Sequence, residues 1–238
     1  PLIIAGLEVA EAVFRELSPA LQIRLLEKDA TRAAKGTVLM EIEGPARPIL
    51  TGERVALNFV QRLSGVATMT SLFVDAVRET NALILDTRKT TPGLRLLEKY
   101  AVACGDGKNH RTGLYDMVLI KDNHLVAVRN EMPNSIAAAV ERARRMYPDL
   151  KVEVEADTLE QVEQALEAGA DIILLDNMSL EQMRKAVKLN AGKAKLEASG
   201  GVNLQTVRGI ADTGVDYISV GALTHSARAM DIALDFQF

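Results

Sequence analysis

The chain has no tryptophan, a single cysteine and only 4% aromatic residues in 238 positions. With so few rings, the core must be built from Ala, Leu, Val and Ile. The lone Cys104 excludes an internal disulfide and fits a reducing compartment. No apolar run approaches the ~18 residues of a membrane-spanning helix. The longest, around Ala170–Leu175, is interrupted by Asp171 and stops at Asp176. Sixteen glycines and seven prolines are too few for a low-complexity or fibrous chain. An excess of positive charge is also missing. The formal net charge of −4 argues against a nucleic-acid groove but leaves room for a local basic site. No secretory or transit signal is visible, so a cytoplasmic protein is expected. The chain starts at Pro1, directly in an amphipathic segment, which suggests a missing N-terminal piece.

What is present reads as an α/β protein in two parts. Residues 1–50 carry a helical pattern over Leu7–Leu17, stopped by Ser18-Pro19, then strand-like runs Ile23–Leu26 and Thr37–Ile42. They predict a small α+β layer, with the tail 229–238 packed back on it. From Thr51 the pattern predicts a long helix with one internal glycine, Gly65, and Arg54 at its head. Beyond Asn81, short runs rich in Val, Ile and Leu alternate with helical stretches. The runs are Leu83–Leu85, Met117–Ile120, Val152–Val154, Ile172–Leu175, Lys195–Glu197 and Tyr217–Val220. Strands apolar throughout and separated by helices imply a parallel sheet covered on both faces. The expectation for residues 51–228 is a barrel-like βα array of about six to seven parallel strands, either an incomplete α/β barrel or one with further strands not legible in the sequence.

The apolar runs end directly in polar or glycine residues: Asp86-Thr87-Arg88-Lys89, Lys121-Asp122, Glu155, Asp176, Ser199-Gly200-Gly201 and Gly221. Strand C-terminal ends converge on the active-site mouth of a βα barrel, so a shared site is expected there. Ser199-Gly200-Gly201, before a helix expected near Asn203, and Gly221-Ala222, before a helix expected after Thr224, suit a phosphate. Arg88, Lys89, His110, Arg111 and Lys121 point to a polyanion, since Arg grips carboxylates with two prongs and Lys supplies a compact charge. Glu155, Asp176 and Asp122 are hard oxygen donors able to hold Mg²⁺, and each also suits a turn or cap. His124 and His225 suit phosphate contact or capping alike. Cys104, in CGDGKNH, reads as a structural thiol.

The stretches RVALNFVQRLSGVATMT, DTRKTTPGLRLLEKYAV, GKNHRTGLYDMVLIKDNH, VEVEAD, ILLDNM, ASGGVN and SVGALTHSA closely resemble the quinolinate phosphoribosyltransferase family, the carboxylating nicotinate-nucleotide pyrophosphorylases. The resemblance runs in order through almost the whole chain. It implies an N-terminal α/β sandwich, an incomplete α/β barrel, and a homodimer or a hexamer of dimers. It also implies a Mg²⁺-dependent reaction of quinolinate with 5-phosphoribosyl 1-diphosphate that yields nicotinate mononucleotide, CO₂ and diphosphate.

By the same resemblance, Arg54 (from the neighbouring subunit), Thr87, Arg88, His110, Arg111 and Lys121 grip the quinolinate carboxylates. Lys89 lies between quinolinate and the phosphoribosyl group. Glu155 and Asp176 take the ribose hydroxyls and metal, with Asp122 nearby, and Lys89, Lys121, Glu155 and Asp176 are the implied catalytic set. Ser199, Gly200, Gly201, Gly221 and His225 are implied to cradle the 5-phosphate. One departure is visible: the loop reads CGDGKNH where the family pattern is GGGKNH-like. Two rival readings are a sister phosphoribosyltransferase with another substrate, and a barrel aldolase using Lys89 or Lys121 as a Schiff-base amine.

Overall fold

A strand buried on both faces must be apolar throughout, and the runs of that kind pair into one sheet. The computed structural model describes residues 1–236, so the last two residues of the expected tail 229–238 lie outside it. The elements in chain order are β1 (Leu2–Ile3), α1 (Leu7–Leu17), β2 (Gln22–Leu25), β3 (Arg32–Ala33), β4 (Met40–Glu43) and α2 (Ala46–Val77), then β5 (Leu83–Leu85) and α3 (Arg95–Cys104). They continue with β6 (Val118–Ile120), α4 (Asp122–Ala127), α5 (Ser135–Met146), β7 (Val152–Ala156), α6 (Leu159–Glu167), β8 (Ile172–Asp176) and α7 (Leu180–Asn190). The last are β9 (Lys195–Ser199), α8 (Val207–Ala211), β10 (Tyr217–Ser219) and α9 (Ala222–His225). The chain forms two compact units, one of 1–74, 89–109 and 221 onward, the other of 75–88 and 110–220.

In the first unit, β2 and β4 form an antiparallel pair with Ile23 opposite Ile42, and β1 pairs with β3. The amphipathic α1 buries Leu7, Ala10 and Phe14 against Ile4, Leu21, Ile49 and Val60. Ile232 and Leu234 of the C-terminal segment pack on this cluster, and Met230 N–H donates to the Gln61 carbonyl at 2.9 Å. The helix expected from Thr51 begins at Ala46 instead, so Arg54 lies two turns inside it, exposed, and not at its head. Pro48 does not break it, because a first-turn residue has no intrahelical N–H partner to lose. Gly65, in the middle of α2, is required: a Cβ there would run into the Arg228 carbonyl.

The second unit is a six-stranded, all-parallel sheet in the order β5-β10-β9-β8-β7-β6. Consecutive strands from β6 to β10 are neighbours, and β5 adds beside β10. Among the described residues β5 and β6 form the two opposite edges and do not pair with each other, so the barrel is incomplete. Helices α5, α6 and α8 pack on the sheet. Helices α6 and α7 start within four residues of a strand end, through capping boxes Thr158/Gln161 and Ser179/Gln182. These short connections fix the strand-end side chains.

Candidate active site

Alternation along β7 puts Glu153 and Glu155 on one face and Val152, Val154 and Ala156 on the other. The register carries the first face to Leu174 and Asp176 of β8 and to Glu197 and Ser199 of β9. The opposite face, with Ile173, Leu175, Leu196, Ala198 and Ile218, is apolar and buried. One face of the sheet is therefore polar toward its C-terminal edge, where the sequence placed the site.

The buried centre of that face is a group of acids around one histidine. Glu153 and Glu197 are fully buried, and Oε2 of each lies 3.0 and 3.4 Å from His110 Nε2. Asp86, buried just after β5, accepts the His110 backbone N–H at 2.8 Å. Burial pushes the His110 pKa down, but the hydrogen bond to Glu153 and the ion-pair contact with Glu197 outweigh it and raise the value to about 10. The imidazole is thus a cation at neutral pH. Beside it, Arg111 donates to the Met117 carbonyl at 3.3 Å. Burial first, and then the like charge of Arg88, hold its pKa below the usual value. Two guanidiniums close enough to repel, next to an imidazolium, make a site for an anion with more than one charge.

Farther along the face, Lys121 forms an ion pair with Glu155, whose side chain is mostly buried. The Lys121 backbone N–H donates to His124 Nδ1 at 2.9 Å, so His124 caps α4. Asp122 is exposed at the first position of α4. Asp176 accepts from the Asn177 side-chain amide at 2.7 Å. Gly200 and Gly201 have φ of +94° and +61°, and a Cβ on Gly200 would strike the Asn177 side chain, so this turn needs glycine. The helix expected near Asn203 starts at Val207, because Asn203 Oδ1 accepts the Gln205 and Thr206 N–H groups and holds a turn first.

In the first unit, Gly221, His225 and Lys89 form a local group. A Cβ on Gly221 would lie 3.1 Å from His225 Nε2 and 3.2 Å from Lys89 Cδ. Thr224 Oγ1 donates to the Lys89 carbonyl at 2.7 Å. The helical stretch expected after Thr224 is the single turn α9, which starts directly at Ala222. This group is braced by residues the sequence did not single out. Arg62 of α2 donates to the Thr224 carbonyl, to the Ala227 carbonyl at 2.9 Å, and to fully buried Glu98 at 2.8 Å. Glu98 also accepts from the Thr91 N–H at 3.0 Å and its hydroxyl at 2.8 Å. Cys104, at the end of α3, is a half-buried thiol whose pKa burial pushes up, the reverse of an activated nucleophile.

Among the described residues, the one trio of ligand-type atoms close enough to share an ion, within 4.8 Å, is His110, Glu153 and Glu197. Its Nε2–H between two carboxylates already satisfies it as an ion-paired cation. Asp122, Glu155 and Asp176 do not close into such a trio. Glu153 and Glu197 went unread as site residues, although a carboxylate at an alternate position of an otherwise apolar strand was their visible signal.

Two family models match the chain: the quinolinate phosphoribosyl transferase N-terminal domain over residues 1–64 and the C-terminal domain over residues 66–235. The chain is 46% identical over 234 residues to the "probable nicotinate-nucleotide pyrophosphorylase [carboxylating]" of Bacillus subtilis, covering 98% of this chain and 79% of that protein. It is 47% identical over 240 residues to the Mycobacterium leprae nicotinate-nucleotide pyrophosphorylase [carboxylating], covering 99% of this chain and 83% of that one. The crystal structure of NadC from Streptococcus pyogenes superposes with a TM-score of 0.91 at 44% identity, over 97% of this chain and 80% of that one.

Proposed function

Because the chain belongs to the quinolinate phosphoribosyl transferase family, we propose that it is a pentosyltransferase of NAD biosynthesis. It transfers the phosphoribosyl group of 5-phosphoribosyl 1-diphosphate to quinolinate, with loss of CO₂, and releases diphosphate and nicotinate mononucleotide. The observation that carries the reading is the set of cations Arg88, His110 and Arg111 on a base of buried acids, which suits a dicarboxylate. Thr87 and Lys121 complete the grip. Glu155 and Asp176, at the ends of adjacent strands on the polar face, take the ribose hydroxyls. Ser199, Gly200 and Gly201 offer backbone to phosphate, and the Lys89, Gly221 and His225 group of the first unit is a second phosphate-binding set.

The chemistry follows from this set. The quinolinate ring nitrogen attacks the ribose carbon as diphosphate leaves, through an oxocarbenium-like state. The carboxylates of Glu155 and Asp176 stabilise its positive charge, and no protein nucleophile is required. Once ribosylated, the cationic ring nitrogen stabilises the carbanion left as the adjacent carboxylate departs as CO₂, and a proton then replaces it. Glu155, Asp176 and exposed Asp122 are hard donors that do not form a closed cage, which fits Mg²⁺ held by one or two carboxylates plus substrate oxygens. When bound, Mg²⁺ neutralises the leaving diphosphate. We assign a homodimer in the cytoplasm, with exposed Arg54 serving the neighbouring subunit. No helix among the described residues is long and apolar enough to cross a membrane.

Lys89 is exposed, and Lys121 is half-exposed and ion-paired, so neither has the desolvated setting a Schiff-base amine needs. Diphosphate release should require quinolinate, phosphoribosyl diphosphate and Mg²⁺ together. Release without quinolinate, or none with all three, overturns the proposal.

A further inference from the structure

We propose that Glu153 and Glu197 are positioning residues that hold His110 as a permanent cation and pin its ring through Nε2, so that dicarboxylate binding does not weaken as pH rises through the ordinary histidine range. This rests on the reading of His110 and Arg111 as part of the carboxylate grip. Three acids around His110 support it. From β7, Glu153 lies 3.0 Å from Nε2; from β9, Glu197 lies 3.4 Å away; after β5, Asp86 holds the backbone N–H at 2.8 Å. Burial opposes protonation of the ring, and the two buried acids outweigh it.

Two features argue that this is more than packing. Glu153 Oε1 and Glu197 Oε2 are buried and accept no hydrogen bond among the described residues, a costly arrangement that an apolar pair would avoid. Both also sit on the one polar face of the sheet, below the strand ends that carry Glu155, Asp176 and Ser199. A ring that lost its proton would expose these acids to an incoming dianion. Kept protonated, it screens them and adds its own charge to the grip.

Side-chain ¹⁵N–¹H NMR of the full-length protein tests the state of the ring directly. The chain has only three histidines, and a His110→Gln variant assigns the signal. The expected result is a His110 ring still doubly protonated at pH 8.5; a ring that becomes neutral between pH 6 and 8 overturns the proposal. Kinetics of Glu153→Gln/Glu197→Gln test the consequence. The quinolinate KM should match wild type near pH 6 and rise at least tenfold by pH 8.5, with the phosphoribosyl diphosphate KM unmoved. A merely structural role would lower the melting temperature without that pH-dependent split, and this too would overturn the proposal. If the double variant does not fold, the wild-type titration decides. A wild-type protein inactive with quinolinate refutes the proposed function while leaving the NMR result to judge this inference.

Discussion

Replacing Arg62 by Met removes the cation that neutralises the buried carboxylate of Glu98. The Glu98 side chain is 0% exposed and that of Arg62 28%, with the charges 2.8 Å apart. Met keeps the length of the Arg stem, so the packing along α2 survives and the loss is electrostatic. Glu98 would retain only its two hydrogen bonds from Thr91, and the Thr224 and Ala227 carbonyls would lose their donor. Breaking a buried pair from one side costs about 3–5 kcal/mol. In a chain of this size each kcal/mol moves the melting temperature by about 2–4 °C. The expected fall is therefore ~6–20 °C in differential scanning calorimetry at pH 7. Converting Glu98 to Gln in the same chain should return part of it, because a neutral amide is cheaper to leave without a cation and can still accept from Thr91. A fall under ~2 °C for Arg62→Met, or a double variant no more stable than the single one, would refute the reasoning.

Other outcomes follow from local geometry. Gly65→Ala should destabilise by about 1–3 kcal/mol in urea titration, although Ala is usually the better helix residue, because its Cβ meets the Arg228 carbonyl. Asp106→Gly should stabilise by about 0.5–1 kcal/mol, since Asp106 holds φ of +66° where the resembling family pattern has glycine; thermal unfolding checks it. Arg111→Lys should weaken quinolinate binding about 10- to 100-fold in calorimetry and leave phosphoribosyl diphosphate binding near normal, because Lys cannot make the two-pronged contact.

The parallel sheet was legible in the sequence because a strand buried on both faces must be apolar along its length, and the polar residues that stop it mark the strand end. Leu83–Leu85 was read at its observed bounds, and the others within one or two residues. The strands β1 and β3, two residues each, are too short to show any period. The start of α2 lies five residues before Thr51, because Pro48 is a first-turn residue that leaves the helix intact. Among candidate site residues, exposed or half-exposed groups at strand ends are legible because they interrupt an apolar run. The roles of the buried acids are not, since the burial of Glu98 depends on Arg62, 36 residues away, and that of Glu153 on His110, 43 residues away. The strand pattern could flag Glu153 as a carboxylate in an apolar run, but its partner over such a distance leaves no local trace.

The most direct measurement counts CO₂ against diphosphate in one reaction. With carboxyl-labelled quinolinate, phosphoribosyl diphosphate and Mg²⁺, one CO₂ should appear per diphosphate, and nicotinate in place of quinolinate should give neither. Diphosphate release with nicotinate and without CO₂ would mark a phosphoribosyltransferase of another substrate and contradict the account.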